Sequence, residues 1–331
     1  MNVDPAVRKQ LDRIPNLSLQ EQVSLSQFTR FGIGGPAAVL VDTTDASAFA
    51  SALKVVRLAT VRHVVIGGGT NLVVSDAGFD GVVLRFRGAG MEFSDHSLKV
   101  EAGAVLQDVV DAGVARGLKG METMTGIPGY LGAAVYGNAG AYGHSIQERV
   151  ELVHFTDGET SRSLTNRECE FEYRESLFKR HKDWVILSVE LSFGEDNPAA
   201  LKKAADEIRA IRDEKYPPSM KCAGSIFKNC FFAQLPPSVQ AQIPPKLVRE
   251  GKVPSAWFLE QVGAKGIRRG DIQVATYHAN LIYNDGAGTA DDLVTVIRQL
   301  KDMVHDRFGF NLEEEVQYVG FERAAVLAGS Q

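Results

Sequence analysis

The chain has 331 residues, of which 44% are hydrophobic and 23% charged, and its formal net charge is −5 at pH 7. This composition is typical of a globular protein, and the length indicates two or three domains. The acidic balance excludes the basic surface of a nucleic-acid-binding protein, so no nucleic-acid partner is expected.

No apolar run reaches the roughly 18 residues of a membrane span. The opening segment MNVDPAVRKQLDRIPN is polar and lacks the apolar core of a signal peptide. Three cysteines, an odd and small number, argue against a disulfide scaffold. We therefore expect a cytoplasmic protein with reduced thiols and no membrane insertion.

The first 200 residues alternate short strands with helices. Strands are predicted for β-branched or alternating apolar segments, namely 61–67, 81–86, 98–103 and 184–193. Residues 104–117 place valines on one stripe and stop at Gly117, which predicts a helix. A longer helix over 198–216 ends at Pro217.

The last third of the chain reads as a separate unit, with a boundary near residue 200. A short helix is predicted over 255–263 and a strand over 276–284. Residues 289–309 give the clearest helix, with Thr289 as N-cap, two acids in the first turn and a glycine as the stop. A strand over 315–321 follows, which completes a strand–helix–strand order.

A run of three glycines followed by Thr and Asn, GGGTN, occupies residues 67–71. Consecutive glycines can point backbone N–H groups at one concave point, which suits phosphate oxygens. The run is not the Rossmann fingerprint, because position 72 is leucine and the next residues predict a strand. It is not a P-loop either, because no Gly-Lys-Ser/Thr follows. A hairpin turn without any ligand is the alternative.

A second and longer glycine-rich stretch, TGIPGYLGAAVYGNAGAYG, covers residues 125–143, and RFGIGGPA at 30–37 is a shorter one. Long loops of this kind are uncommon unless they serve a function. Two separate glycine-rich loops therefore indicate a long cofactor with several phosphates, held at two places.

Six motifs in order carry a family resemblance. TRFGIGGPA, GGGTNLVVSDAGFDGVVLR and GIPGYLGAAVYGNAGAYG resemble the FAD-binding domain of the vanillyl-alcohol-oxidase/p-cresol-methylhydroxylase type. YRESLFK (173–179), AGSIFKN (223–229) and LEEEV (312–316) complete the series. Together they resemble the UDP-N-acetylenolpyruvoylglucosamine reductase family over residues 20–321. Each motif alone is weak, but six in this order are specific.

The resemblance implies an α+β fold, with a two-lobed FAD-binding domain (1–65 and 66–199) and a C-terminal α/β substrate-binding domain (200–331). It implies non-covalent FAD, no metal and a monomer. NADPH would be a transient reductant, because no second dinucleotide fingerprint is present. The reaction implied is reduction of UDP-N-acetylglucosamine enolpyruvate to UDP-N-acetylmuramate in peptidoglycan precursor synthesis.

The same resemblance assigns cofactor contacts to the two glycine-rich loops. The residues expected to bind FAD are Gly67, Gly68, Gly69, Thr70, Asn71, Gly126, Ile127, Pro128, Gly129, Gly132, Gly137, Asn138, Gly140, Ala141 and Tyr142.

Three residues are expected to carry the chemistry. Hydride addition to the vinyl terminus leaves negative charge on the neighbouring carbon and its carboxylate, and that carbon needs a proton. The resemblance puts the proton on Ser225, although an isolated Gly-Ser would favour a turn serine. Arg174 would bind the carboxylate and stabilise the enolate; its alternative is a surface ion pair with Glu175. Glu315 would orient the substrate, although three acids in a row usually form a solvated face.

Substrate contacts are implied at Tyr173, Lys215, Lys228, Asn229 and His278. Lys215 would meet the diphosphate, and Lys228 and Asn229 the nucleotide or sugar. A lone histidine on an apolar strand is more often a hydrogen-bonded core residue, so His278 keeps that alternative.

Two features depart from the family pattern. Cys230 stands where proline is usual, and the chain lacks the extra tyrosine-bearing loop after residue 193, so it resembles the shorter subtype. Cys222 and Cys230 could also be a redox pair, but such pairs are usually closer, as in Cys-x-x-Cys. We therefore interpret the cysteines as small packed residues and Ser225 as the reactive one.

Two other functions compete with the reductase. One is a flavin oxidase of the same cofactor fold, for which His63 is the candidate for covalent flavin attachment. The other is a non-enzymatic flavin-binding module. The AGSIFKN and LEEEV motifs argue against the first, and intact Ser225, Arg174 and Glu315 argue against the second.

Overall fold

A computed structural model describes residues 3–322. The chain divides into two compact units. The first contains the N-terminal segment through Val23, Ala37–Gly69 and Asp80–Pro218, and the second contains Ser24–Pro36, Thr70–Phe79 and the chain from Ser219 onward. The compact first unit thus continues past the predicted boundary near residue 200, through one more helix. The three-part division at residues 65 and 199 stays a prediction.

The α-helices of the described residues range from one turn to five. They are α1 (Pro5–Asp12), α2 (Ala46–Leu58), α3 (Leu106–Ala115), α4 (Leu131–Tyr136), α5 (Leu177–Arg180), α6 (Pro198–Lys215), α7 (Pro237–Gln240), α8 (Ser255–Gln261) and α9 (Ala290–Phe308).

The strands are short, and many are two-residue bridges. They are β1 (Ser18–Ser24), β2 (Pro36–Thr43), β3 (His63–Ile66), β4 (Leu72–Val74), β5 (Phe79–Phe86), β6 (Met91–Ser94), β7 (Ser97–Glu101), β8 (Leu118–Lys119), β9 (Gly140–Ala141), β10 (His144–Ser145), β11 (Val150–Thr156), β12 (Ser161–Thr165), β13 (Val185–Ser192), β14 (Gly194–Glu195), β15 (Lys221–Ser225), β16 (Cys230–Phe231), β17 (Lys252–Val253), β18 (Arg268–Arg269), β19 (Ile272–Val274), β20 (Leu281–Asn284) and β21 (Gln317–Val319).

The first unit is built on two sheets. One has the strand order β1-β2-β5-β3, in which β3 pairs with β5 in parallel. The other is antiparallel, with the order β12-β11-β13-β7-β6. A continuous apolar core joins α2, α3 and α4 to these strands. Phe49 of α2 meets Phe86 of β5 with ring centroids 5.7 Å apart, which shows how the apolar stripe of a helix is buried on a sheet.

The second unit contains an antiparallel sheet with the order β15-β20-β19-β18. A separate parallel pair joins β21 to β4. This pairing explains why residues 70–79 belong with the C-terminal part of the chain: a strand near the chain's end takes its partner from the stretch after GGGTN.

Helix α9 begins and ends as its sequence predicts. The backbone N–H of Asp292 donates to the Thr289 hydroxyl at 3.1 Å, which caps the first turn. Gly309 ends the helix at φ +73°, in the left-handed conformation that glycine adopts without strain. The carboxylate of Asp76 accepts from the first two helical N–H groups, those of Ala290 and Asp291, at 2.9 and 3.0 Å. The buried face of α9 closes one side of the second unit's core.

Most predicted elements are confirmed within one to three residues at each end, including α3, α6, α8, α9 and the strands β3, β5, β7 and β13. The predicted strand over 276–284 is wrong in its first half. Only Leu281–Asn284 is strand, because the N–H of Leu281 donates to the His278 carbonyl at 3.1 Å and closes a turn between β19 and β20.

Among residues 3–322, no helix has both the length and the apolar character needed to cross a membrane.

Candidate active site

The GGGTN run joins two different sheets. Strand β3 before it pairs with β5, and strand β4 after it pairs with β21. The hairpin-turn alternative is therefore wrong, since the flanking strands do not pair with each other. The run instead connects strands that belong to different sheets, and its residues through Gly69 belong to the first unit.

In the first unit, residues 67–69 and 126–130 form what we call the glycine cradle. A Cβ atom added to Gly68 would lie 3.2 Å from the Cα atom of Gly129, and one added to Gly67 would lie 3.2 Å from the Ala133 side chain. At Gly68 the two loops therefore meet backbone to backbone, and the ring of Tyr130 is the next neighbour. Glycine is needed here for space, which is what the close approach of a cofactor's phosphates also requires.

The residue at the start of the second glycine-rich loop, Thr125, was missed by the sequence reasoning. Its side chain is 2% exposed, and its hydroxyl has no hydrogen-bond partner within the protein. A buried hydroxyl without a partner is costly, and a ligand oxygen beside the cradle would satisfy it. Next to it, the N–H of Gly126 donates to Gln107 at 2.8 Å. The cradle and this hydroxyl fit FAD, and the threonine that opens TGIPG was the available signal.

Arg174 lies in a strained loop of the first unit. Its φ is +59°, a left-handed conformation that non-glycine residues adopt rarely and often at functional sites. Its guanidinium donates to the Gly140 carbonyl at 2.7 Å and lies 5.1 Å from the ring centroid of Tyr173. Lys179 fixes the loop by donating to the Arg174 carbonyl at 2.8 Å and by pairing with Glu175 at 2.7 Å.

The same loop is tied to the predicted FAD residues 137–142. The side-chain amide of Asn138 donates to the Glu172 carbonyl at 2.7 Å. Asn138 and Tyr142 also have positive φ angles, +42° and +54°, and the Tyr142 side chain is half exposed. The structure thus brings Arg174, Tyr173 and the second half of the glycine-rich stretch into one connected cluster.

Lys215, the remaining predicted substrate residue of the first unit, is the last residue of α6. Its ammonium group lies 5.0 Å from the ring centroid of Tyr216. Arg212, one turn earlier, lies against Gly126: a Cβ atom added there would be 3.0 Å from the arginine side chain. The end of α6 therefore carries two cations, of which Arg212 lies beside the glycine cradle.

In the second unit, residues 225–229 form what we call the serine segment. Strand β15 ends at Ser225, which lies opposite Leu281 of β20. The following backbone is bonded to the LEEEV motif: the N–H of Glu315 donates to the Ile226 carbonyl at 2.7 Å, and the N–H of Lys228 donates to the Glu313 carbonyl at 2.9 Å. The segment that contains Ser225 and Lys228 is thus held in one hydrogen-bonded register with Glu315, which lies far from it in the sequence.

The three acids of LEEEV have different environments and do not form one solvated face. The motif forms only an isolated bridge between Glu314 and Phe227. Glu313 pairs with the buried ammonium of Lys228 at 2.5 Å. Glu314 pairs with Lys301 of α9 at 3.0 Å, and both side chains are largely buried.

The backbone of Glu315 is also held by the stretch after the glycine run. The side-chain amide of Asn71 donates to the Glu315 carbonyl at 3.0 Å, and the N–H of Gln317 donates to the Asn71 carbonyl at 2.9 Å. Asn71 was predicted to bind FAD. In the described structure its amide links its loop to the motif that carries Glu315, and its role toward FAD stays a prediction, as does that of Thr70.

His278 and Asn229 are half-buried. His278 lies in the turn before β20 rather than on a strand. Asn229 follows Lys228 and precedes Cys230, which pairs with Val253 between β16 and β17. Their predicted contacts with the substrate stay predictions.

The two cysteines that flank the serine segment do not form a disulfide in the structure. Cys222 and Cys230 are both free thiols. Burial raises the pKa of both, and that of Cys230 to about 12. Because the thiolate is the reactive form, both thiols stay protonated and unreactive near neutral pH.

Comparisons with known proteins agree with this geometry. The model of an FAD binding domain matches residues 37–162, and the C-terminal domain of UDP-N-acetylenolpyruvoylglucosamine reductase matches residues 216–319. A reductase of that name from Solibacter usitatus is 56% identical over 93% of this chain and 98% of its own. One from Rubrobacter xylanophilus is 35% identical over 89% and 93%.

Among solved structures, the UDP-N-acetylenolpyruvylglucosamine reductase of Thermus caldophilus matches with a TM-score of 0.71 and 26% identity, covering 92% of this chain and 99% of its own. The mixed α+β fold with an FAD-binding domain of vanillyl-alcohol-oxidase type is thereby confirmed. The chain belongs to the UDP-N-acetylenolpyruvoylglucosamine reductase family.

Proposed function

We propose that the chain reduces the enolpyruvyl ether of UDP-N-acetylglucosamine enolpyruvate to the lactyl ether of UDP-N-acetylmuramate, with NADPH as the source of electrons. FAD, held by this chain, would supply the hydride chemistry that links NADPH to the terminal vinyl carbon. The residues of the glycine cradle, with the Thr125 hydroxyl, would hold the FAD phosphates. The proposed setting is peptidoglycan precursor synthesis in the cytoplasm, which the free cysteines support.

The residues of the chain would stabilise the developing negative charge and supply a proton. As the hydride arrives, negative charge develops on the carbon beside the carboxylate. Arg174 would bind that carboxylate through its planar guanidinium and stabilise the charge. Ser225 would deliver its hydroxyl proton to the carbon, which completes the addition of two hydrogens across the double bond. Glu315 would orient the substrate during this transfer.

The observation that carries the proposal is the hydrogen-bonded alignment of the serine segment with the LEEEV motif in the second unit. Ile226 follows Ser225 in the chain, and its carbonyl accepts a hydrogen bond from the Glu315 N–H. This bond holds Ser225 and Glu315 at a fixed spacing. A fixed spacing between a proton donor and an orienting acid is what this addition needs. Lys228, which was predicted to contact the nucleotide or sugar, is buried in the same register and pairs with Glu313.

The test separates the two half-reactions. Purified protein loaded with FAD is reduced anaerobically with one equivalent of NADPH, and the enolpyruvyl substrate is then added. We expect bleaching and then rapid return of the oxidised flavin absorbance. In Ser225→Ala the bleaching should be unchanged, whereas the return should slow by about 10²- to 10⁴-fold. Ser238→Ala, an exposed serine of α7, is the matched control.

Two outcomes would contradict the proposal. Recovery of the flavin band only when air enters would indicate a flavin oxidase instead. Recovery in Ser225→Ala at the normal rate would remove the serine from the chemistry.

A further inference from the structure

Asn280 is a buried asparagine immediately before β20 that the chemistry above does not use. Its side chain is 3% exposed. The amide nitrogen donates to the Phe227 carbonyl at 2.9 Å, and the amide oxygen accepts from the Phe227 N–H at 2.9 Å. One side-chain amide thus pairs with both backbone groups of a single residue, as a neighbouring strand would.

A third bond fixes the amide itself. Its nitrogen also donates to the Ser255 hydroxyl at 2.8 Å, and that hydroxyl donates to the Phe227 carbonyl at 3.3 Å. Ser255 is fully buried at the start of α8. The orientation of Asn280 is therefore set by a helix as well as by the segment it holds.

Regular sheet pairing is interrupted just before Ser225. The pairing of β15 with β20 is irregular between Cys222 and Ser225. Gly224 lies between them at φ +73°, and a Cβ atom added there would meet nothing within 4 Å. The backbone that leads to Ser225 is thus irregular, and bonds made by the residues that follow the serine help to hold its position.

Those residues are fixed from two sides. On one side, the carbonyl of Ile226 and the N–H of Lys228 are bonded to the LEEEV motif. On the other side, the N–H of Ile226 donates to the Asn280 carbonyl at 3.1 Å, and both backbone groups of Phe227 are bonded to the Asn280 side chain. Every one of these bonds constrains the segment that begins at Ser225.

We propose that Asn280 is a positioning residue for Ser225, which acts by clamping the backbone of Phe227 and so keeps the serine in register with Glu315. The clamp extends the hold on the chain beyond the Ser225–Leu281 pair, which follows the irregularity at Gly224. This inference rests on the proposed function, because it takes Ser225 as the proton donor.

A buried amide could simply stabilise the fold, so the test needs a matched asparagine. Asn284 provides it: it lies on β20, is 4% exposed and makes three hydrogen bonds, to the Phe31 carbonyl and to the N–H groups of Gly286 and Gly288. None of these bonds touches the serine segment. Asn280→Ala and Asn284→Ala should lower the unfolding temperature to a similar extent.

The two variants should differ in one half-reaction. In Asn280→Ala we expect bleaching of FAD by NADPH at the normal rate and reoxidation by the enolpyruvyl substrate about 10²-fold slower, because a misplacement of about 1 Å costs that much. Amide hydrogen exchange of residues 226–228 should be faster in Asn280→Ala, also without FAD. Asn284→Ala should show neither change.

Asn280→Asp keeps the shape of the side chain and guards against a variant that does not fold. The ionised acid would face the Phe227 carbonyl with an acceptor instead of a donor, whereas the protonated acid could donate to it. Burial favours the protonated form. The reoxidation defect of this variant, relative to the unmodified protein, should therefore shrink as the pH is lowered.

The outcomes distinguish the positioning role of Asn280 from the proton-donor role of Ser225. Normal reoxidation in Asn280→Ala, with Ser225→Ala slow, would overturn the positioning role alone. A pH-independent defect in Asn280→Asp would also overturn it. If Ser225→Ala itself reoxidises normally, the proton-donor assignment fails and the positioning role fails with it.

Discussion

The glycine cradle and the serine segment are built in opposite ways. In the cradle, backbone meets backbone, and Gly68 is needed because any side chain would fill the space. Directly before the serine segment, Gly224 has open space around it and is needed only for its positive φ. The cradle leaves room for a ligand, whereas the serine segment is held by side chains that reach in from elsewhere. A cofactor site can therefore be formed by open space between backbone segments, whereas a proton donor has to be held at a fixed position relative to the other reactive groups.

The largest effect should come from the side chains behind the LEEEV motif. Lys301 is 7% exposed and pairs with Glu314 at 3.0 Å. Lys301→Met leaves a buried carboxylate without its cation, which should cost about 3–5 kcal/mol of unfolding free energy. Urea denaturation followed by circular dichroism measures it.

The control is an ion pair of the same chemistry on the surface. Lys202 pairs with Asp206 on α6, and both side chains are mostly exposed, so Lys202→Met should cost less than about 1 kcal/mol. The double variant Lys301→Met/Glu314→Gln should recover much of the loss, since it removes the unpaired charge. An equal loss in both single lysine variants would show that the LEEEV motif does not depend on a buried pair.

The next largest effect is expected at Gly140, where a substitution tests how closely the second glycine-rich loop is packed. A Cβ atom added to Gly140 would lie 2.3 Å from the His144 carbonyl oxygen. That oxygen is backbone, so Gly140→Ala must displace the β9–β10 pair, at about 1–3 kcal/mol. The Gly140 carbonyl also accepts from Arg174. We expect weaker FAD binding, measured by quenching of flavin fluorescence, and a lower unfolding temperature.

Gly137 is the control for that substitution. A Cβ atom there would have only the Ala133 carbonyl near it, at 3.6 Å, which is an ordinary contact. Gly137→Ala should bind FAD almost normally. If both variants bind FAD equally well, close packing is not what makes this loop rich in glycine.

A smaller effect is expected at Gly224, where a substitution changes the backbone conformation without steric crowding. Gly224→Ala meets no neighbour but must hold alanine at φ +73°, which should cost about 1–2 kcal/mol. We expect FAD to bind normally and reoxidation by the enolpyruvyl substrate to slow, since Ser225 is the next residue.

Gly263, after α8, has φ +74° and equally open surroundings. Gly263→Ala should therefore lose similar stability and keep normal reoxidation. Slow reoxidation in both variants would mean that any loss of stability in the second unit impairs the reaction.

The features that could be predicted from the sequence are those that depend on neighbouring residues. The caps of α9 at Thr289 and Gly309 and the glycine-rich loops can be predicted because each depends on a few neighbouring residues. The six ordered motifs identified Ser225, Arg174 and Glu315 as candidates, which pattern and spacing alone could not do.

What the sequence did not reveal depends on distant partners. The turn at His278 ended a predicted strand, because the N–H of Leu281 bonds to the His278 carbonyl. Asn280 looks like one polar residue in an apolar run until Phe227, 53 residues away, is placed beside it. The assignment of residues 70–79 to the second unit depends on the pairing of β4 with β21.

The smallest effect is expected at the cysteines that flank the serine segment. Cys222→Ala/Cys230→Ala should turn over NADPH and the enolpyruvyl substrate at an unchanged rate. Burial raises the pKa of Cys230 from 9.0 to about 12, so this thiol stays protonated in the folded protein at pH 8. An unfolded chain loses the same proton near pH 9, so this group favours the folded state below that pH and less so as pH rises toward 12.

Thiol chemistry distinguishes a packed cysteine from a reactive one. With a disulfide reagent at pH 8, the native protein should react slowly, and all three cysteines should react once it is unfolded. Fast labelling of Cys230 in the native state, accompanied by loss of turnover, would restore the redox-pair hypothesis. Slow labelling with unchanged turnover in the double variant leaves the hydroxyl of Ser225 as the reactive group between the two cysteines. The cysteines then serve the site only through the volume they fill, which is why the sulfur at position 230 can stand where the family usually has proline.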